Sequence, residues 1–248
     1  MRGHVTAGSV QGLREAQEDR FVASRFRDRG WLLAVFDGHN GPGTADVAAG
    51  LVEDAFAESF DRYGPGTAAV SATIGKLRDA TADRVDGSSA SVVFVDEEAG
   101  RVFVAVLGDS PVILRDADGE LRSAPIHNTA TNPTDAERAI ERGALLVGPY
   151  LVRPDKMEGV NLTRTIGDAD LTFLGRTPEM LDATVGADSF VLVASDGVFT
   201  RLAATPEMLV ARFGQLIDGE TEAEALIADA LAAGSDDNVT VVLWKGAE

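Results

Sequence analysis

Three stretches of the chain run through apolar residues and stop at an aspartate beside a glycine. Leu32-Leu33-Ala34-Val35-Phe36 leads into Asp37-Gly38-His39-Asn40-Gly41, Val104-Ala105-Val106-Leu107 into Gly108-Asp109-Ser110, and Phe190-Val191-Leu192-Val193-Ala194 into Ser195-Asp196-Gly197. Short apolar runs bounded by turn residues read as buried strands. Two further acidic groups flank apolar runs: Glu18-Asp19 in the segment Gly12-Leu13-Arg14-Glu15-Ala16-Gln17-Glu18-Asp19-Arg20, and Asp236-Asp237 before Val239-Thr240-Val241-Val242-Leu243. Any one Asp-Gly or Gly-Asp pair is an ordinary turn, and Asp37-Gly38-His39 alone reads as a turn with a surface histidine. Five acidic clusters at strand borders, accompanied by Arg14 and His39, are better explained by a fold that gathers them into one site.

Apolar patterning places strands at about residues 4–10, 20–26, 31–36, 90–95, 101–107, 111–115, 144–147, 189–195 and 239–244. Helices are expected at 44–60, with Val47, Leu51, Ala55 and Phe56 on the buried face, and at 70–85, with Ile74, Leu77 and Thr81 there. Thr205-Pro206-Glu207 is a helix start with proline in the first turn, and 220–233 forms a second late helix closed by Gly234. This order lacks the regular alternation of a doubly wound parallel sheet. The expectation is an α+β fold with mainly antiparallel sheets covered by helices, and 1–248 as one domain, since the first and last strands both border motif residues. Trp31 and Trp244 fall in strand patterns and are read as packing residues.

Composition narrows the chemistry. The chain has 248 residues and no cysteine, which excludes disulfides, thiolate metal sites and a cysteine nucleophile. A metal here takes oxygen or imidazole ligands, and three histidines (His4, His39, His127) leave little imidazole, which favours Mg²⁺ or Mn²⁺ over zinc. A formal net charge of −18 repels nucleic acid. No apolar run reaches the roughly 20 residues that span a bilayer, and neither a signal peptide nor another targeting extension is visible, so a cytoplasmic location is expected.

The residues at the strand ends have matching chemistry. The two oxygens of Asp37 can bridge neighbouring cations, and Gly38 lets its carbonyl approach one of them. His39 is placed to donate a proton. Arg14 can grip phosphate through its guanidinium fork, and Glu18 or Asp19 can hold a metal directly or through water. For the Arg14 to Asp19 segment by itself a charged surface turn is the simpler reading.

These motifs, in this order, resemble the metal-dependent protein phosphatases of the protein phosphatase 2C type over nearly the full chain. The resemblance rests on Arg14-x-x-x-Glu18-Asp19, Val35-Phe36-Asp37-Gly38-His39-Asn40-Gly41, Gly87-Ser88-Ser89-Ala90, Gly108-Asp109-Ser110, Thr163-Arg164-Thr165-Ile166-Gly167-Asp168, Ala194-Ser195-Asp196-Gly197 and Asp237-Asn238. It implies a four-layer α-β-β-α sandwich with two central antiparallel sheets and a metal site at one end of the strands. By the same resemblance Asp37 bridges two Mn²⁺ or Mg²⁺ ions, Asp196 and Asp237 hold the first, and Gly38 and Glu18 the second, with Asp19 orienting bound water. Asp109 shares Asp196 in a third-metal site, Arg14 binds substrate phosphate and His39 is the general acid. Arg164, Gly167 and Asp168 are read as structural, and His4 and His127 are given no catalytic role. The implied activity is hydrolysis of phosphoserine and phosphothreonine in proteins by a monomer, through in-line attack of a metal-bridged hydroxide without a phosphoenzyme. Two other readings are a pseudophosphatase that only binds a partner and a phosphohydrolase of small metabolites. The chain departs from the family pattern at Pro111, where arginine is usual, at Ile126, where aspartate usually precedes the histidine, and at Val198-Phe199-Thr200-Arg201. A rearranged 124–132 loop is therefore expected.

Overall fold

The computed structural model describes residues 2–199, 205–217 and 220–247. Thr200 and Arg201, the end of the unusual stretch after Asp196-Gly197, lie outside the described residues. Two five-stranded sheets form the centre. The first orders its strands as Arg2–Val10, Val239–Ala247, Phe190–Ala194, Val112–Arg115 and Leu121–Ser123. The second runs Glu179–Thr184, Arg101–Leu107, Ala90–Asp96, Gly30–Phe36 and Arg20–Phe26. Every pairing within both sheets is antiparallel.

Alternation along the strands produces the layering. In Gly30–Phe36, Leu32, Ala34 and Phe36 pack with residues of helices α1 (Gly43–Tyr63) and α2 (Thr67–Ala80). Leu33 and Val35 from the same strand turn the other way and meet Val112, Val191, Val193, Val242 and Trp244 of the first sheet. Successive side chains of a strand point to opposite faces, so a strand buried on both faces must be apolar throughout. The outer face of the first sheet, with Leu192, Ala194, Val241 and Leu243, is covered by Leu209 and Phe213 of α4 (Pro206–Leu216) and Leu226 and Ile227 of α5 (Ala223–Ala232). The result is the expected order of helices, sheet, sheet, helices. Trp244 is fully buried between the sheets, and Trp31 lies under the guanidinium of Arg25 at 5.2 Å.

Several elements differ from expectation. α1 buries Ala45, Ala48, Val52, Ala55, Phe56 and Ser59, leaving Leu51 exposed, because small residues let the helix lie close on the sheet. α2 begins at Thr67 and ends at Ala80, where the Thr81 hydroxyl folds back onto the Leu77 carbonyl and closes the helix before Val85. The late helices follow the sequence closely, with the Thr205 hydroxyl accepting from Met208 N at the start of α4. A helix not read from the sequence, α3 (Pro133–Glu141), is capped by Asn132, whose side chain accepts from Asp135 N. The apolar run at 144–147 is a strand, Leu145–Val147, but it is exposed and pairs with Tyr150–Val152 in a small separate sheet.

Candidate active site

Antiparallel pairing brings the motif-bearing strand ends to the same edge. Val35 pairs with Ser91, and Ala90 with Leu107, so the exit of Gly30–Phe36, the entry of Ala90–Asp96 and the exit of Arg101–Leu107 coincide. In the other sheet Ala194 pairs with Val241 and Val10 with Val239, which aligns the exits of Arg2–Val10 and Phe190–Ala194 with the entry of the last strand. Asp37, Asp109, Asp196, Asp237 and the Gln11 to Glu18 segment therefore meet at one end of the sandwich.

There, a cleft of about 570 Å³ is lined by Arg14, Glu18, Asp37, Gly38, His39, Asp109, Asp196 and Asp237. One carboxylate oxygen each from Asp37, Asp109 and Asp196 lie within 4.8 Å of one another. Burial and its carboxylate neighbours Asp19, Asp196 and Asp109 push the Asp37 carboxyl well above the usual carboxylate range. Burial and Asp196 do the same to Asp109, while burial with Asp237 and Asp19 raises Asp196 to about 6. Carboxylates held this close repel, and desolvation deprives them of the water that would screen them. A hard cation among them relieves both costs.

The backbone around Asp37 is fixed by the Gly87-Ser88-Ser89 segment. Ser89 N donates to the Asp37 carbonyl at 2.9 Å, Asp37 N donates to Ser89 Oγ at 3.1 Å, and Ser88 Oγ reaches the same carbonyl at 3.1 Å. Gly38 has no room for a side chain, since a Cβ there would lie 2.6 Å from the Glu18 carbonyl. Gly87 is equally constrained, because its Cβ would fall 2.1 Å from Asp168 Oδ2 and 2.3 Å from His39 Nε2. Those two atoms are 2.8 Å apart in a hydrogen bond. Asp168, read from the sequence as structural, is thus the partner of His39.

Arg14 Nη2 meets Asp237 Oδ2 at 2.5 Å in the exposed mouth of the cleft. Asn238 organises the opposite wall: its side chain accepts from Glu18 N at 2.8 Å and donates to the carbonyls of Gln11 and Ala16 at 2.8 and 2.9 Å. Asp19 does not line the cleft. It is buried beneath it, accepting from the Thr240 hydroxyl at 2.7 Å, and burial raises it to about 6. His4 sits far from this edge, 3.6 Å from Glu222. His127 is fully buried, and its Nδ1 accepts from Gly108 N at 3.2 Å while its backbone N–H donates to the Gly108 carbonyl at 2.9 Å. It braces the turn that carries Asp109. Ile126, in the place of the usual aspartate, packs with Ile113, Leu192 and Ala194 in the core.

The chain matches the family model "Protein phosphatase 2C" over residues 3–239. Among curated proteins it is 29% identical to protein phosphatase fem-2 of Caenorhabditis elegans, over 97% of this chain and 58% of that protein. It is 25% identical to probable protein phosphatase 2C 11 of Arabidopsis thaliana, over 96% of this chain and 65% of that one. The chain thus spans about three fifths of the length of these relatives. Among solved structures, a C. elegans sex determining protein superposes with a TM-score of 0.81 at 26% identity, over 98% of this chain and 64% of that one. The catalytic domain of the serine/threonine phosphatase PstP, in complex with two manganese ions, superposes with a TM-score of 0.66 at 25% identity, covering 98% of this chain and 97% of that domain. With the family model matched over residues 3–239 and five of the seven motifs lining one cleft of a four-layer sandwich, the chain belongs to the protein phosphatase 2C family.

Proposed function

We propose that this protein is a metal-dependent phosphatase of phosphoserine and phosphothreonine proteins, with the chain acting as one catalytic unit. The carrying observation is the convergence of Asp37, Asp109 and Asp196 within 4.8 Å beside Arg14 and His39. The donor set fits a hard cation: all-oxygen ligands, no thiolate, and carboxyl groups whose mutual repulsion a divalent ion would relieve. Asp37, Asp196 and Asp237, with Glu18 and the Gly38 carbonyl, are the proposed holders of two Mg²⁺ or Mn²⁺ ions, and Asp109 with Asp196 those of a third. Asp19 supports the site from behind Asp37 and Asp196. The manganese of the PstP catalytic domain supports this choice of metal. When bound, such ions neutralise phosphoryl charge and lower the pKa of water so that it can attack near neutral pH.

The remaining steps fall to the chain's own side chains. Arg14, more than half exposed at the cleft mouth, exchanges its contact with Asp237 for the substrate's phosphoryl oxygens. His39, held by Asp168, delivers a proton to the departing seryl or threonyl oxygen. Attack by water makes a phosphoenzyme unnecessary, in keeping with a chain that lacks cysteine. Pairing of the first strand with the last along Arg2–Val10 supports treating 1–248 as a single domain. Among the described residues no helix is long and apolar enough to cross a membrane.

The test is hydrolysis of phosphoserine and phosphothreonine peptides, p-nitrophenyl phosphate and small phosphorylated metabolites with and without Mn²⁺. Metal-dependent turnover that favours the peptides and disappears in Asp37→Asn is the expected result. Turnover that survives chelation, or is confined to metabolites, overturns the reading.

A further inference from the structure

A second cavity, of about 270 Å³, is lined by Arg138, Arg142, Arg164 and Arg176 together with Thr163 and Asp135. Four arginines and one acidic residue thus line it, in a chain whose formal net charge is −18. Asp135 is already committed, accepting from Arg164 Nε at 2.5 Å and from Arg138 Nη1 at 3.1 Å. Arg164 also pairs with Glu179 at 2.8 Å. Arg142 and Arg176 pair with no carboxylate among the described residues. Arg142 donates to the Phe173 carbonyl at 3.3 Å, and Arg176 spends its donors on the carbonyls of Thr165, Gly167, Asp168 and Leu171.

Two further features favour an anion beside these arginines. Thr163 is 1% exposed, lines the cavity, and has a hydroxyl with no hydrogen-bond partner. A buried hydroxyl left unpaired is costly, and native structures rarely keep one without a role. Burial moreover pushes the half-buried Arg176 below its ordinary value, with Asp168 opposing the shift and Arg78 adding like charge. A cavity lined by four arginines, of which Arg142 and Arg176 have no carboxylate ion-pair partner among the described residues, suits an oxyanion, because guanidinium forks match tetrahedral phosphate.

We infer that this arginine cavity is a second phosphate-binding site, separate from the carboxylate cleft. The two adjoin along the chain, since Asn161 and Leu162 line the cleft while Thr163 and Arg164 line the arginine cavity. Its occupant is a phosphate dianion, either a second phosphoryl group on the molecule whose first is in the cleft, or free phosphate.

The probe is inorganic phosphate, titrated calorimetrically into the full chain held in chelator, where the carboxylate cleft is negative and repels anions. Saturable binding is expected. Arg138→Ala combined with Arg142→Ala removes only the exposed rim and should weaken binding by at least about tenfold, while Arg14→Ala leaves it unchanged. Circular dichroism melts check that the double variant is folded, and Arg142→Gln alone provides a milder variant that should weaken binding in the same direction. No saturable binding, indifference to both rim variants, or loss through Arg14→Ala overturns the proposal. Peptide kinetics in Mn²⁺ then separates the sources. If the site reads a second phosphoryl group, the double variant raises KM for a doubly phosphorylated peptide and not for its singly phosphorylated counterpart. If it takes free phosphate, added phosphate changes turnover of both peptides in the wild type and loses that part of its effect in the double variant. Because phosphate binding in chelator does not depend on catalysis, failure here and failure of the phosphatase reading are distinguishable.

Discussion

A neutral imidazole whose Nε2–H is committed to a carboxylate keeps only an acceptor at Nδ1, whereas the doubly protonated ring keeps a proton there to give. In the proposed role of His39 as the acid, the 2.8 Å bond from Nε2 to Asp168 Oδ2 leaves Nδ1 as the nitrogen that would deliver the proton. The Asp168 carboxylate fixes the orientation of the ring and offers it a negatively charged partner. Asp168→Asn preserves the shape and removes that charge. Turnover of phosphoserine peptides, whose leaving group needs a proton, should fall by on the order of 10²-fold, while p-nitrophenyl phosphate, whose leaving group does not, should change little. Equal losses on both substrates would show that Asp168 serves only the fold. The role of Asp168 was invisible in the sequence because its partner is 129 residues away. Asp37, Asp109 and Asp196 were legible, each ending an apolar run that could only be a buried strand.

At the scale of elements, the least regular part of the site is the segment from Gln11 to Glu18, which carries Arg14 and Glu18 without strand or helix support. Asn238 ties it down through three hydrogen bonds to Glu18 N and the carbonyls of Gln11 and Ala16. Asn238→Ala should cost about 1–3 kcal/mol of stability from the donors and acceptors it leaves unpaired. Hydrogen exchange should accelerate over 11–18 more than elsewhere, and KM should rise as Arg14 loses its station. Uniform exchange across the chain would show that the segment is held by other means. The same contrast explains which elements the sequence disclosed. Strands buried on both faces, such as Ala90–Asp96, are continuous apolar runs. Two-residue strands such as Gly87–Ser88 and Gly159–Val160 have no period to detect. α3 has only Ala136, Ala139 and Asp135 buried on a polar face, and Glu179–Thr184 is a largely exposed edge strand, so both lacked a pattern until their neighbours were in place.

On the scale of the whole molecule, the fold spends stability to bring its carboxylates together. Asp196 and Asp19, ordinarily at 3.8, are raised to about 6, first of all by burial. A carboxyl raised in the folded state binds protons more tightly there than in the unfolded chain, so its contribution to stability falls as pH rises from about 4 through about 6 and is most unfavourable above that. A cation bound at the site removes this cost by mass action on the folded state alone. Mn²⁺ should therefore raise the melting temperature strongly at pH 7.5 and weakly at pH 5, where protons compete for the same oxygens. Asp196→Asn should raise the melting temperature of the chelated protein at pH 7.5 by relieving the repulsion, while abolishing the Mn²⁺-dependent gain. Differential scanning calorimetry with and without metal, at both pH values, reads all of this directly. If Asp196→Asn lowered the chelated protein's melting temperature and still responded to Mn²⁺, Asp196 would be an ordinary packing residue and the metal would bind elsewhere. The expected trade of stability for a charged, cation-seeking edge is what a catalytic site built from clustered carboxylates demands of the sandwich that holds it.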